Sequence, residues 1–167
     1  MKKIAMGTVI LLGLSVAFST QATAATKLTS AQQSQLKYLV EEEKLARDVY
    51  TYLLKTSGSQ KFSNISKSEQ THMSLVSGVL KTYKVTDPSI GEAPGVFKNT
   101  ALAALYKKLI ASGSVDYAGA MAAGIAIENL DIADLKVDIK AESAADVLSM
   151  LNILLSGSQN HLMAFSR

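Results

Sequence analysis

The chain has 167 residues, a length that suits one domain, and its 48% hydrophobic and 19% charged content is that of an ordinary globular protein. The formal charge is +3, from 17 Lys and Arg against 14 Asp and Glu. Without Lys2 and Lys3 it is 15 against 14, and no basic stripe interleaved with aromatics remains to bind nucleic acid. The absence of cysteine excludes disulfides, iron–sulfur clusters and thiolate zinc sites.

Lys2 and Lys3 precede an apolar run over residues 4–18, and Ala22-Thr-Ala24 is a small-x-small cleavage pattern. This predicts a secretory signal peptide over residues 1–24, cut after Ala24 or Ala25, and a folded domain over 25–167 in an exported, periplasmic protein. The apolar run is short for a membrane span and nothing later is long enough, so no membrane span is expected.

A first helix is predicted over 31–54, with Ser30 and Gln33 as a capping box. Its apolar stripe is Leu36, Leu39, Val40, Ala46, Tyr50, Leu53 and Leu54. Glu43 falls inside the stripe. Glu42 lies on its other edge and periodicity alone does not separate the two. Glu41, Lys44 and Asp48 are expected to face away. Thr56 to Ser59, with Gly58, ends the helix.

A second helix is predicted over 63–83. Ile65, Glu69, His72, Val76, Val79 and Tyr83 form one unbroken stripe, with Glu69 and His72 about 60° apart on it. A carboxylate and an imidazole thus stand where the pattern calls for Leu or Ile, and burying them unpartnered is costly. Ser66-x-x-Glu69 also fits a capping box with a later helix start, which leaves His72 unexplained.

Asp87-Pro88, Gly91 and Pro94-Gly95 then break the helix. Residues 84–114 read as a long crossover carrying one short helix over 99–110, which lets the next long helix run parallel to the second. A third long helix is predicted over 115–139, its stripe Tyr117, Met121, Gly124, Glu128, Asp131 and Leu135 and its solvent face Asn129, Lys136 and Lys140. Small residues between Ala118 and Gly124 allow close packing. Residues 131–140 also alternate weakly as a strand would, but Glu128 and Asp131 keep the helical period. The last helix, 143–165, has the stripe Val147, Leu151, Leu154, Ser158, His161 and Phe165.

The expected fold is all-α, an antiparallel four-helix bundle with a long crossover between the second and third long helices. Each long helix buries polar residues: Glu43; Glu69 and His72; Glu128 and Asp131; His161. Both histidines of the chain are among them. This pattern fits a carboxylate-rich metal site inside a bundle, with ligands that suit iron, manganese or zinc. The other reading of Glu128 and Asp131 is an ion network with Arg47. Arg47 and Tyr50 are expected beside the ligands, Gln159 and Asn160 around the site, and Asp134 and Asp138 at the surface or rim.

Glu43-Lys-Leu-Ala46-Arg47-Asp-Val-Tyr50 resembles the E-x-x-A-R-x-x-Y motif of rubrerythrins. Glu69-x-x-His72 is similar to their E-x-x-H, and Glu128-x-x-Asp131 to their E-x-x-E with Asp for the second Glu. The phrases EEEKLARDVY, SEQTHM, IENLDIADL and GSQNHLMAF together also resemble a ferritin-like domain family of unknown function, over roughly Leu36 to Phe165. The resemblance favours Glu43 over Glu42 and implies a ferritin-like, di-iron-type oxidoreductase that oxidises iron or reduces dioxygen or peroxide. By the same resemblance Glu69 and Glu128 would bridge two iron ions, His72 and His161 would be terminal ligands, and Glu43 and Asp131 would complete the set. Manganese is the second candidate. The fourth helix departs from the pattern: Ser158 stands where E-x-x-H has its Glu, so one ion in place of two is the other expectation. The alternatives are a metal-binding or buffering module without turnover, and a metal-free interaction protein on the same scaffold.

Overall fold

The computed structural model describes residues 27–167; the signal peptide expected over 1–24 lies outside them. Five α-helices and no strand are present among the described residues: α1 Ser30–Ser57, α2 Gln60–Thr82, α3 Thr100–Gly113, α4 Tyr117–Ala141 and α5 Ala145–Phe165. No helix among them is long and apolar enough to cross a membrane. The long helices pack in a ring: α1 against α2, α2 against α5, α5 against α4, and α4 against α1. α3 lies on α1 and α4.

Local signals set the helix ends. Thr29 is the N-cap of α1, and its capping box pairs it with Gln32, one residue earlier than the expected Ser30 and Gln33. Thr29 Oγ1 accepts from Gln32 N at 3.2 Å and Gln32 Oε1 accepts from Thr29 N at 2.9 Å. Gly58 closes the helix in the left-handed conformation, φ 65°, which glycine adopts without strain. α2 begins at Gln60, so Ser66 and Glu69 lie mid-helix and form no capping box. α4 is capped by Asp116, whose carboxylate accepts from Gly119 N at 2.7 Å. Residues 131–140 are helix throughout.

The apolar side chains form two cores. One holds Leu45, Val49, Leu53, Phe62, Ile65, Ala123, Ile127 and Phe165, under α3. The other holds Leu36, Leu39, Val40, Val76, Leu80, Leu135, Leu151 and Leu154. On every long helix buried polar residues stand between the two cores: Glu41 to Glu43 on α1, Glu69 and His72 on α2, Glu128 and Asp131 on α4, Ser158 and His161 on α5. All are buried. The stripes are therefore continuous in burial but change from apolar to polar and back.

Two expectations about helix faces are corrected. Tyr117 does not join the α4 stripe; it is 53% exposed beside the N-cap. Glu41, Lys44 and Asp48 do not face away but are buried. The crossover folds over that side of α1, and the charges hold it there. Glu41 accepts from the backbone N–H of Lys98 (2.5 Å) and Asn99 (3.0 Å) at the start of α3. Lys44 Nζ pairs with Asp48 Oδ2 at 2.6 Å and donates to the Ala93 carbonyl at 2.9 Å. Asp48 also accepts from Gly95 N at 2.9 Å, and the Phe97 ring lies 4.5 Å from Lys44 Nζ. An amphipathic pattern assigns charge to water, and here a long connection brings its unpaired backbone groups to the charge instead.

Candidate metal centre

Glu43, Glu69, His72, Glu128, Asp131 and His161 are all buried in the polar layer. The structure draws five of them into two overlapping groups. One is Glu43, Glu69 and His72, and the other is Glu69, Glu128 and His161. Within each, one ligand-type atom per residue lies within 4.8 Å of the others. Glu69, 1% exposed, is common to both. Its Oε2 stands 2.8 Å from His72 Nδ1 and its Oε1 2.8 Å from His161 Nδ1. The two imidazoles stack on each other at 28°, 5.4 Å between ring centres. Asp131 belongs to neither group; Ser158 donates its hydroxyl proton to Asp131 Oδ2, leaving Oδ1 without a partner.

The close approaches to Glu69 are not aligned hydrogen bonds. Glu43 Oε1, both Glu69 oxygens, Asp131 Oδ1 and His161 Nδ1 are buried and have no hydrogen-bond partner among the described residues. Buried polar atoms in folded proteins are nearly always met, at a cost of about 1–3 kcal/mol for each that is not. A divalent cation at each group would meet all of these but Asp131 Oδ1, so the donor set fits a metal: oxygen from carboxylates, nitrogen from two imidazoles, no sulfur.

Neighbours orient these groups. His161 Nε2 lies 2.9 Å from Ser68 Oγ, which holds the ring with Nδ1 toward Glu69 and, at 3.7 Å, Glu128. Tyr50 donates to Glu128 Oε1 at 2.5 Å, leaving Oε2 on the His161 side. The Tyr50 ring packs 5.1 Å from Phe165 and 5.8 Å from Phe62. Phe165 reaches it because residue 124 is glycine: a Cβ there would come within 2.8 Å of the Phe165 ring. His72 turns Nδ1 to Glu43 Oε2 at 3.2 Å and its Nε2 edge to α5 at Gly157. A Cβ at position 157 would stand 2.4 Å from that nitrogen.

The electrostatics are those of a layer that must hold positive charge. Burial works against charge on His72, but Glu43 and Glu69 outweigh it and lift its pKa to about 10. The same balance, with Glu128 and Glu69 as the carboxylates, lifts His161 to about 9. Burial would raise Glu69, but His161 and His72 hold it down to about 2. Burial, with Glu69 adding to it, raises Glu128 to about 7. Burial, then Glu128 and Glu69, raises Asp131 to about 7 against the Ser158 hydrogen bond. Burial and the Asp131 charge push Glu43 well up. Without metal, protons on the imidazoles supply the charge that a cation would otherwise bring.

Tyr50 stands beside the site as expected, bonded to Glu128, whereas Arg47 does not. Its guanidinium bonds Asp48 at 2.7 and 2.9 Å and Gln70 at 2.7 Å, and it makes no ion pair with Glu128 or Asp131. Gln159 and Asn160 are exposed and outside the layer. Ser68 and Gly157 were not singled out. Gly157 carried a signal, since a glycine inside a helix weakens it and often marks a close approach. Ser68 carried none, because serine is common on exposed helix faces.

The solved structure of a hypothetical protein, MJ0754 from Methanococcus jannaschii, superposes with a TM-score of 0.82 at 40% identity, covering 84% of this chain and 80% of that one. In sequence, the uncharacterized protein MJ0754 of Methanocaldococcus jannaschii is 44% identical over 127 residues, 76% of this chain and 69% of its own length. The model of the uncharacterized domain family DUF2202 matches residues 32–167, all of the helical ring but the first two residues of α1, and the chain belongs to that family.

Proposed function

We propose that this chain is an exported ferritin-like metal protein whose polar layer holds two metal ions, iron before manganese, and that it oxidises iron(II) or reduces dioxygen or peroxide. The observation that carries the reading is the set of four unmet, buried ligand-type atoms on Glu43, Glu69 and His161. The order of the cores supports the bundle topology. α1 and α5 run from the Leu36 core to the Phe62 core, and α2 and α4 run the other way. Sequential neighbours are thus antiparallel, while α2 and α4, joined by the crossover, run alike.

In this reading His72 and Glu43 would hold one ion and His161 and Glu128 the other, with Glu69 common to both groups. Two adjacent redox-active ions would supply electrons in pairs to an oxidant. The chain's part is to present and protect them. With its ring proton on Nε2, donated to Ser68, His161 offers a free lone pair at Nδ1. To serve as a ligand through Nδ1, His72 would have to be free of a proton there, and the Glu43 carboxylate 3.2 Å away is placed to take it. Tyr50 holds Glu128 by one oxygen. The two apolar cores keep bulk water from both ends of the layer.

A second reading, a metal buffer without turnover, is favoured by Ser158. Its hydroxyl occupies Asp131 Oδ2 where the resemblance calls for another carboxylate ligand. Metal analysis of untagged protein purified from the compartment where it resides tests the shared claim. Near-stoichiometric transition metal, lost in Glu69→Ala and His72→Ala, is expected; metal-free protein would refute it. Iron(II) oxidation with oxygen or peroxide then separates enzyme from buffer: turnover supports the first reading, single loading without turnover the second. A ratio of one ion per chain would rule out the paired centre.

A further inference from the structure

Two positions toward the C-terminal end of α2 break a local rule of helix chemistry, and both border one groove. Gly78 lies inside the helix, where glycine weakens it, yet a Cβ there would meet nothing within 4 Å. No close approach within the described chain asks for a glycine. At the end of the same helix, Val85 N–H donates to the Leu80 carbonyl at 2.8 Å and Lys84 N–H to the Lys81 carbonyl at 3.1 Å. This paired closure puts residue 84 in the left-handed conformation, φ 57°. Glycine suits that position, as Gly58 does at the end of α1. Here it is lysine, the one non-glycine residue with positive φ among the described residues. A side chain is missing where the helix favours one and present where the turn favours none. Locally unfavourable choices of this kind gather at functional sites.

The groove has a volume of about 690 Å3, within the range of small-molecule sites, and lies between the last turns of α2 and residues 84–90. Val85 and Ile90 line it, and Ile90 is 77% exposed. Its charges do not balance. Asp87 is the one acid in the lining, and its carboxylate accepts from Ser77 Oγ (2.5 Å), Ser89 N (2.8 Å) and Ser89 Oγ (2.7 Å), which pins the segment to α2. Lys81 and Lys84 are exposed and pair with no carboxylate among the described residues. We propose that this groove binds a small anionic amphiphile, a molecule with a carboxylate head and an apolar chain. The head answers the two ammonium groups. The chain answers Val85, Ile90 and the lysine stems, and the bare backbone at Gly78 gives it room. The occupant is a free monomer, because a concave lining suits a single chain better than a flat lipid surface. No residue of the polar layer lines the groove, so the site stands apart from the proposed metal centre and does not depend on it.

Decanoate is titrated into the protein by calorimetry, below the concentration at which it forms micelles. The expected result is one decanoate per chain, with decanol, which lacks the charge, and acetate, which lacks the chain, each binding at least tenfold more weakly. Lys84→Gly is expected to raise the melting temperature by relieving the backbone, while weakening decanoate at least tenfold. Gly78→Leu fills the groove and is expected to abolish binding in a protein that melts no lower than the wild type. Unchanged binding in both variants, decanol bound as tightly as decanoate, or attachment to phosphatidylglycerol vesicles without uptake of monomeric decanoate would overturn the proposal. So would a Lys84→Gly chain that melts below the wild type, because the lysine would then be serving the fold.

Discussion

The position of the His72 ring depends on the absence of one methyl group, and Gly157→Ala adds it. Gly157 and Gly78 both lie inside helices. An alanine Cβ at position 78 meets nothing within 4 Å, so helix propensity alone is expected to stabilise that variant by about 0.5–1 kcal/mol. At position 157 the same gain is opposed by contacts of 2.4 Å to His72 Nε2 and 2.5 Å to Cε1. Ordinary contact begins near 3.5 Å, so the ring or α5 must yield by about 1 Å. The ring is poorly placed to yield, because Nδ1 bonds Glu43 and abuts Glu69. Overpacking of this kind costs about 1–3 kcal/mol, which puts Gly157→Ala below Gly78→Ala by roughly 4–12 °C in melting temperature for a domain of this size. A ligand moved by 1 Å is outside the roughly 0.5 Å tolerance of a built site, so Co2+ or Fe2+ binding is expected to weaken at least tenfold in Gly157→Ala alone. Thermal melts and optical metal titrations of the two variants make the comparison. If Gly157→Ala matches Gly78→Ala in both, His72 is not held where it has been placed.

Other outcomes follow from the same geometry. Tyr50→Phe keeps the ring packing and removes only the O–H donated to Glu128; a hydrogen bond to a charged group is worth about 1.5–3 kcal/mol, and urea unfolding of metal-free protein is expected to show that loss. Asp48→Ala leaves buried Lys44 without its counter-ion and frees Gly95 N, at a cost of about 3–5 kcal/mol; protease cutting within residues 84–99 reads the release of the crossover. The metal-free protein is expected to lose stability as pH rises. His72 (about 10) and His161 (about 9) lie above their ordinary 6.5, and Glu128 and Asp131 (each about 7) above 4.5 and 3.8. The folded state therefore binds more protons than the unfolded state. The stability this confers is complete below the unfolded values and is lost as pH climbs through the folded ones, to about pH 10. Glu69, lowered to about 2, acts oppositely, but only as pH falls from 4.5 toward 2. A series of melts from pH 5 to 10 that rises or stays flat would contradict this.

The positions of Glu69, His72, Glu128, Asp131 and His161 were legible because α2, α4 and α5 interrupt an apolar period with polar residues, and period is what a helix transmits from sequence to burial. The buried charges of α1 were not. EEEKLARDVY is buried nearly all round, and no single-face pattern shows that. Only the crossover, brought back by Pro88, Gly91 and Pro94, makes Glu41, Lys44 and Asp48 interior. Glu42 and Glu43 are adjacent and equally acidic, and which one faces the histidines is set by the rotation of α1 against its neighbours. Gly157 and Ser68 matter through the side chains opposite them, which a single helix's pattern does not reveal. The capping register at Thr29 differs by one residue from the expected one because both Thr29 and Ser30 have a glutamine three residues on.

The most direct test is a crystal of the protein loaded anaerobically with iron(II), with anomalous scattering recorded on either side of the iron edge. The account predicts two peaks flanking the Glu69 carboxylate, one within about 2 Å of His72 Nδ1 and the other of His161 Nδ1. Iron bound elsewhere, with an undisturbed pair of imidazoles facing a metal-free Glu69, would contradict it.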